Sequence, residues 1–126
     1  YRDWHVPLGR RFRALKLWWV LRSYGAKGIR HHIREHIRMA QSLSARFEAD
    51  PRFEVISPTD FALVCFRHAD GDQATNRIAE KINDSGRAML TASRIEEQAF
   101  VRVSVGQTRT EQRHVDALWE MINDFA

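Results

Sequence analysis

Ala99-Phe100-Val101-Arg102-Val103-Ser104-Val105 decides the fold. Val101, Val103 and Val105 alternate with Phe100, Arg102 and Ser104, the period of two expected of a strand that lays one face on a core and turns the other away. Upstream, Ala88 to Ala92 reads as a second strand, joined to Ala99–Val105 as a hairpin across Arg94 to Glu97. Before that pair, the Asp70-Gly71-Asp72 loop leads into a helix that points Ala74, Ile78 and Ile82 inward and stops at Gly86. Earlier still, a short strand at Phe53 to Ile56, a turn at Ser57-Pro58 and a strand at Phe61 to Phe66 complete a four-strand set. Downstream, after Gly106, Thr110 can cap a final helix with Val115, Leu118, Trp119, Ile122 and Phe125 on one side.

Two helices precede the strands. Gly25 and Gly28 break the first, and the second begins near Gly28, with Ile29, Ile33, Ile37, Ala40, Leu43 and Phe47 at helical spacing before Asp50-Pro51. The first is unusual. At about 100° per residue, Leu15 and Leu17-Trp18-Trp19-Val20-Leu21 point all round its axis, so it requires burial on every side. A small domain covers one side, and the other needs a larger body or another subunit. The order is therefore two helices, then β-β-α-β-β-α: an α+β fold with helices on one face of a mostly antiparallel sheet. Such a fold names no chemistry by itself.

The 126 residues suffice for one domain but not for a core plus a full cofactor domain. The net charge of +4 is unevenly placed: residues 1–40 hold ten Lys/Arg against Asp3 and Glu35, and residues 41–126 hold ten against fourteen acids. The single cysteine, Cys65, excludes an intrachain disulfide and fits a cytoplasmic setting. The longest apolar run, Leu17 to Leu21, is far short of the roughly 20 residues that cross a bilayer, so no membrane partner is expected. The opening Tyr1-Arg2-Asp3-Trp4 has no initiator Met and no signal-peptide architecture, and it reads as a boundary inside a larger enzyme.

Three constellations could carry chemistry. His32-Ile33-Arg34-Glu35-His36 fits the H-x-x-E-H pattern of inverted zinc peptidases, in which two histidines one turn apart hold the metal and the glutamate activates water. Ile33 belongs to the apolar stripe, however, and no acidic third ligand follows, so a solvated helix face is the better reading and no metal is expected. The basic front, from Arg10, Arg11, Arg13 and Lys16 to Arg34 and Arg38 with Trp18 and Trp19 interleaved, has the electrostatic footprint of a nucleic-acid binder. Its tryptophans lie in the all-round apolar helix, which favours core over stacking platforms. Third, Pro7-Leu8-Gly9 precedes the helix at Arg10, where a glycine admits a close ligand and free N–H groups attract an anion such as phosphate. An ordinary turn and helix start explains it equally.

The run from Tyr1 to Trp18, YRDWHVPLGRRFRALKLW, closely resembles a signature segment of group II pyridoxal-phosphate decarboxylases of the aromatic-L-amino-acid type. The resemblance continues in family order through Tyr24-Gly25, Asp50-Pro51-Arg52-Phe53-Glu54, Leu63-Val64-Cys65-Phe66-Arg67, Asn83-Asp84-Ser85-Gly86, Val101-Arg102 and His114-Val115. It implies the C-terminal part of a fold-type I homodimeric enzyme that converts an aromatic L-amino acid to its amine and CO2. Residues 1–24 would then be the end of the large cofactor-binding domain and a connecting helix, and residues 25–126 the small domain.

The cofactor implied is pyridoxal 5'-phosphate. Its Schiff-base lysine would lie upstream of Tyr1, since Lys16, Lys27 and Lys81 match no such position, so no catalytic residue is expected in this segment and the segment alone should be inactive. The same resemblance implies that Leu8 and Gly9 approach the cofactor phosphate of the other subunit. It also implies that Arg2 sits at the base of a mobile loop and Arg102 near the substrate end of the site. His5 stands where the aromatic decarboxylases commonly have Gln, and Gln107-Thr108 replaces a common Asn-Pro. Related aldehyde synthases, and a basic nucleic-acid-binding module, are the alternatives.

Overall fold

The computed structural model describes residues 12–126 and divides the chain into two compact units, residues 1–31 and 32–126. In the first, helix α1 (Arg13–Ala49) begins and meets one non-helical residue, Gly25, at φ 62° and ψ 170°. A side chain rarely adopts that φ, so glycine is what the position demands. Gly28, expected to help end the helix, is helical instead; a Cβ there would meet the Tyr24 Cβ at 3.3 Å.

The second unit is built round the rest of α1. Its buried residues are His36, Met39, Ala40, Leu43, Ser44 and Phe47, spaced three and four apart along one stripe. Ile33, expected on that stripe, is exposed, because the face that meets the core has rotated to His36. Four strands follow: β1 (Phe53–Val55), β2 (Leu63–His68), β3 (Thr91–Ile95) and β4 (Gln98–Ser104), with α2 (Asp72–Asp84) between β2 and β3 and α3 (Gln112–Phe125) last. All pairings are antiparallel, in the order β1-β2-β4-β3.

Register makes the layers. Val64 faces Val103 and Phe66 faces Val101, and these four join Phe53, Ile78, Ile82, Leu118 and Ile122 in one core. On the opposite face Cys65 and Thr91 flank Arg102, and Glu54 pairs with Arg67. The expected α+β architecture, with helices against one side of an antiparallel sheet, is the one observed. Phe47 sits at its centre: stacked on Phe66 at 4.1 Å between ring centroids, and edge-on to Phe53 and Trp119, each at 5.2 Å. One side chain thereby ties α1 to β1, β2 and α3.

Three boundaries differ from expectation for identifiable reasons. β3 starts at Thr91 and not Ala88, because the Asn83 side chain accepts the Leu90 N–H at 2.7 Å and donates to the Leu90 carbonyl at 3.0 Å, satisfying that backbone before the sheet can. β2 is shifted towards His68, which pairs with Phe53, leaving Phe61 exposed. The N-cap of α3 is Glu111 and not Thr110; the His114 Nδ1 accepts the Glu111 backbone N–H at 2.9 Å.

The β3–β4 hairpin turns in two residues, Glu96 and Glu97, both at positive φ (46° and 64°). Such a turn prefers Asn-Gly. Here α2 holds it: the Asp72 carboxylate accepts the Ala99 N–H at 2.9 Å and pairs with Arg94 at 2.9 Å, while Arg94 also donates to the Glu97 carbonyl.

Replacing Phe47 with Ala removes the stacked ring and leaves a cavity shared by four elements. The expected loss is about 3–5 kcal/mol of stability, measured by denaturant unfolding followed by tryptophan fluorescence; a loss below about 1 kcal/mol would show that the core collapses round the gap.

Candidate functional site

Arg102 is the sequence-selected site residue that the structure describes. It lies mid-strand on β4, exposed, with Cys65 of β2 and Thr91 of β3 as its register partners. β4 places it there by alternation, since burying Val101 and Val103 turns residue 102 outward. Among the described residues Arg102 makes no ion pair or hydrogen bond, whereas Arg67 on the same face pairs with Glu54 at 2.6 Å and donates to Gln98 at 2.5 Å. Arg102 is thus an uncommitted guanidinium on an open sheet face, a shape suited to a carboxylate. Arg2, Leu8 and Gly9 lie outside the described residues.

The rival constellations take definite places. His32 and His36 stand 6.2 Å apart between ring centroids, and His36 is buried against the core. Among the described residues no group of three or more His, Cys, Asp or Glu side chains could share a metal ion. Trp18 and Trp19 meet edge to face at 5.1 Å, with the Arg22 guanidinium 5.9 Å from the Trp18 ring. Both tryptophans are at least half exposed, so the burial their helix requires is not supplied by the described residues. No described helix is long and apolar enough to cross a membrane.

The described residues do not by themselves form a pyridoxal-phosphate cradle. Lys16, Lys27 and Lys81 are exposed, and the Lys81 ammonium lies 5.4 Å from the Phe125 ring centroid.

What the second unit does supply is rigidity. Arg46 pairs with Asp116 at 2.5 Å, joining α1 to α3. Arg52 grips Asp50 at 2.6 Å and donates to Asn123, joining the start of β1 to α3. These brackets were not read from the sequence, since their partners are about seventy residues apart. The hydrogen bonds from the Arg52 side chain and backbone hold the Asp50 carboxyl below the usual carboxylate range, and those from Gln112 and Arg46 do the same for Asp116. A depressed folded-state pKa contributes stability that is present above the unfolded value and lost as pH falls through the folded one. Apparent stability is therefore expected to fall on acidification below about pH 4. Asp50→Asn should flatten that fall, as followed by thermal unfolding from pH 6 to pH 2.5; an unchanged slope would show that Asp50 is not linked to it.

Residues 1–69 match the family model described as the pyridoxal-dependent decarboxylase conserved domain. The chain belongs to that family. Over its whole length it is 41% identical to tryptophan decarboxylase 2 of Oryza sativa subsp. japonica and 39% identical to 4-hydroxyphenylacetaldehyde synthase of Rhodiola rosea. The chain spans 27% of each of those proteins, about a quarter of their length. The crystal structure of Oryza sativa TDC with PLP and tryptamine superposes with a TM-score of 0.85 at 36% identity, over 98% of this chain and 28% of that one. The resemblance read from Tyr1 to His114 is confirmed by these matches.

Proposed function

We propose that this chain is the C-terminal part of a pyridoxal-phosphate-dependent enzyme that decarboxylates an aromatic L-amino acid to its amine. The observation that carries the reading is the end-to-end match, in sequence and in fold, to enzymes that act on aromatic amino acids. When bound, pyridoxal phosphate would supply an electron sink for the carbanion left by CO2. The 126 residues contribute a scaffold and a few positioning groups; without a cofactor lysine the segment alone is inactive. Residues 1–24 belong to the large domain and the connecting helix, and residues 25–126 form the small domain of a cytoplasmic homodimer.

In this reading the exposed apolar side chains of Leu15 to Leu21 are covered by the large domain or the partner subunit, which removes a strong penalty of leaving them in water. Leu8 and Gly9 lie against the cofactor phosphate of the other subunit, with glycine admitting close approach; α1 begins at Arg13 and not at the expected Arg10, so the N–H groups of its first turn are not adjacent to Gly9 in sequence. Arg2 holds the base of a mobile loop. Arg102 positions an anionic group of substrate or loop from the open sheet face; its lack of a partner among the described residues supports that role.

A second reading is specifically favoured by the similarity to an aldehyde synthase at 39% identity, nearly equal to that with the decarboxylase. Product analysis separates the two. The full-length enzyme with L-tryptophan, L-tyrosine or L-phenylalanine is expected to release CO2 and the amine without consuming oxygen. Aldehyde formation with oxygen uptake would establish the synthase, and no turnover of any of the three would sink both readings.

Substituting Gly9→Val in the full-length enzyme should weaken cofactor retention about tenfold or more while leaving the unfolding midpoint of the apoenzyme nearly unchanged. Equilibrium dialysis against pyridoxal phosphate reads the first and circular dichroism the second; unchanged retention would remove the phosphate role. Borohydride reduction followed by denaturing mass spectrometry is expected to find the reduced cofactor on a lysine outside these 126 residues.

A further inference from the structure

A groove of about 800 Å³ opens on the helical side of the second unit, and Arg102 is not among its lining residues. Its floor is core showing through: Leu90 from the segment before β3, Val105 from the end of β4, and Leu118 and Met121 from α3. Its rim is of one charge. Arg87, Arg109 and His114 line it, and no Asp or Glu does.

Neither the Arg87 nor the Arg109 guanidinium has an ion pair or hydrogen bond among the described residues. The nearby acids are engaged elsewhere, Glu111 with Arg113 at 3.0 Å and Asp116 with Arg46. His114 is also fixed in orientation: its Nδ1 accepts the Glu111 N–H, so the neutral ring carries its proton on Nε2 and can only donate from that side. An apolar floor below donors that lack acceptors selects against cations and against bare inorganic anions alike. It fits a molecule with an apolar body and one anionic head.

We propose that this groove binds an amphipathic carboxylate, an aryl- or alkyl-alkanoate whose hydrocarbon lies on Leu90, Val105, Leu118 and Met121 and whose carboxylate is held between Arg87 and Arg109. Forked guanidiniums match a planar carboxylate in geometry as well as charge. The volume lies within the range of small-molecule sites, about 300–1,000 Å³. Met89, almost fully exposed at the edge, supplies a flexible apolar flap that adapts to ligand shape. The site is separate from the decarboxylase reading and stands or falls without it.

The test uses the intact holoenzyme with Met89→Cys carrying a trifluoromethyl tag, Cys65 replaced by Ser, and the same labelled protein without Met89→Cys as the reference that identifies the tag's resonance. Titration with 4-phenylbutyrate is expected to move the fluorine resonance saturably, and Arg87→Ala/Arg109→Ala should raise the apparent Kd about tenfold or more. 4-Phenylbutylamine, the same body with a cationic head, should leave the resonance in place, as should inorganic phosphate. Cofactor absorbance and circular dichroism of the double variant establish that it is folded. A response to the amine or to phosphate alone, or an affinity unchanged in the double variant, overturns the proposal. So does a tag that fails to react in the native holoenzyme, which would show the groove already covered by the rest of the protein.

Discussion

The stacking of Phe47 on Phe66 is the contact on which the second unit depends. It places the last turns of α1 over β2, and the edge contacts with Phe53 and Trp119 then fix β1 and α3 round the same ring. Aromatic pairs of this geometry add about 0.5–1.5 kcal/mol beyond the area they bury. Four elements share the ring, so none can shift without disturbing the others. The polar brackets lie round this cluster, with Arg46–Asp116 and Asp50–Arg52–Asn123 each securing α3 to a different neighbour. They are exposed or half-buried and add little energy singly. They fasten α3 at two further points to the arrangement that the shared ring already fixes.

Much of this architecture was legible. Alternation at Val101, Val103 and Val105 defines a strand with one dry face, and the helical spacing of Ala74, Ile78 and Ile82 and of Val115, Leu118 and Ile122 defines the two helices against it. Two of the three misread boundaries share a cause: side chains that compete with backbone partners. Asn83 takes both polar groups of Leu90, delaying β3; His114 caps Glu111, displacing Thr110. Periodicity does not register such bonds. Ile33 was misassigned for another reason, since a hydrophobic stripe at helical spacing can begin one turn earlier than the core it meets. Only the packed structure places that start at His36.

The site was legible in a different way. That Arg102 points away from the core follows from the same alternation that predicts the strand, but its lack of a partner among the described residues does not, because the neighbouring Arg67 occupies an equivalent face and is paired. The groove was illegible altogether. Its cations and its floor come from a segment before β3 and a stretch from β4 into α3, and nothing in the sequence spacing brings Arg87 to Arg109 and His114 across the β3–β4 hairpin. Fold-level patterns predict which residues leave the core; they do not predict which of those residues meet.

The two units make contrasting demands on their surroundings. Residues 32–126 bury a continuous core and carry their own polar brackets, and His68 Nε2 is the buried side-chain polar atom there that finds no hydrogen-bond partner among the described residues. Residues 12–24 leave eight large apolar side chains between 41% and 75% exposed. Burial of even one such side chain is worth about 1.5–3 kcal/mol, so a surface that takes up several gains far more than the ion pairs described here can offer. The helix that the described residues leave uncovered is therefore the feature most strongly driven to find a partner surface, and Gly25, at a backbone angle other residues rarely adopt, interrupts it. A side chain at that glycine would strain the backbone even though no atom lies within 4 Å of where its Cβ would be. Its constraint is conformational and not steric, and it acts on whatever the preceding helix is made to meet.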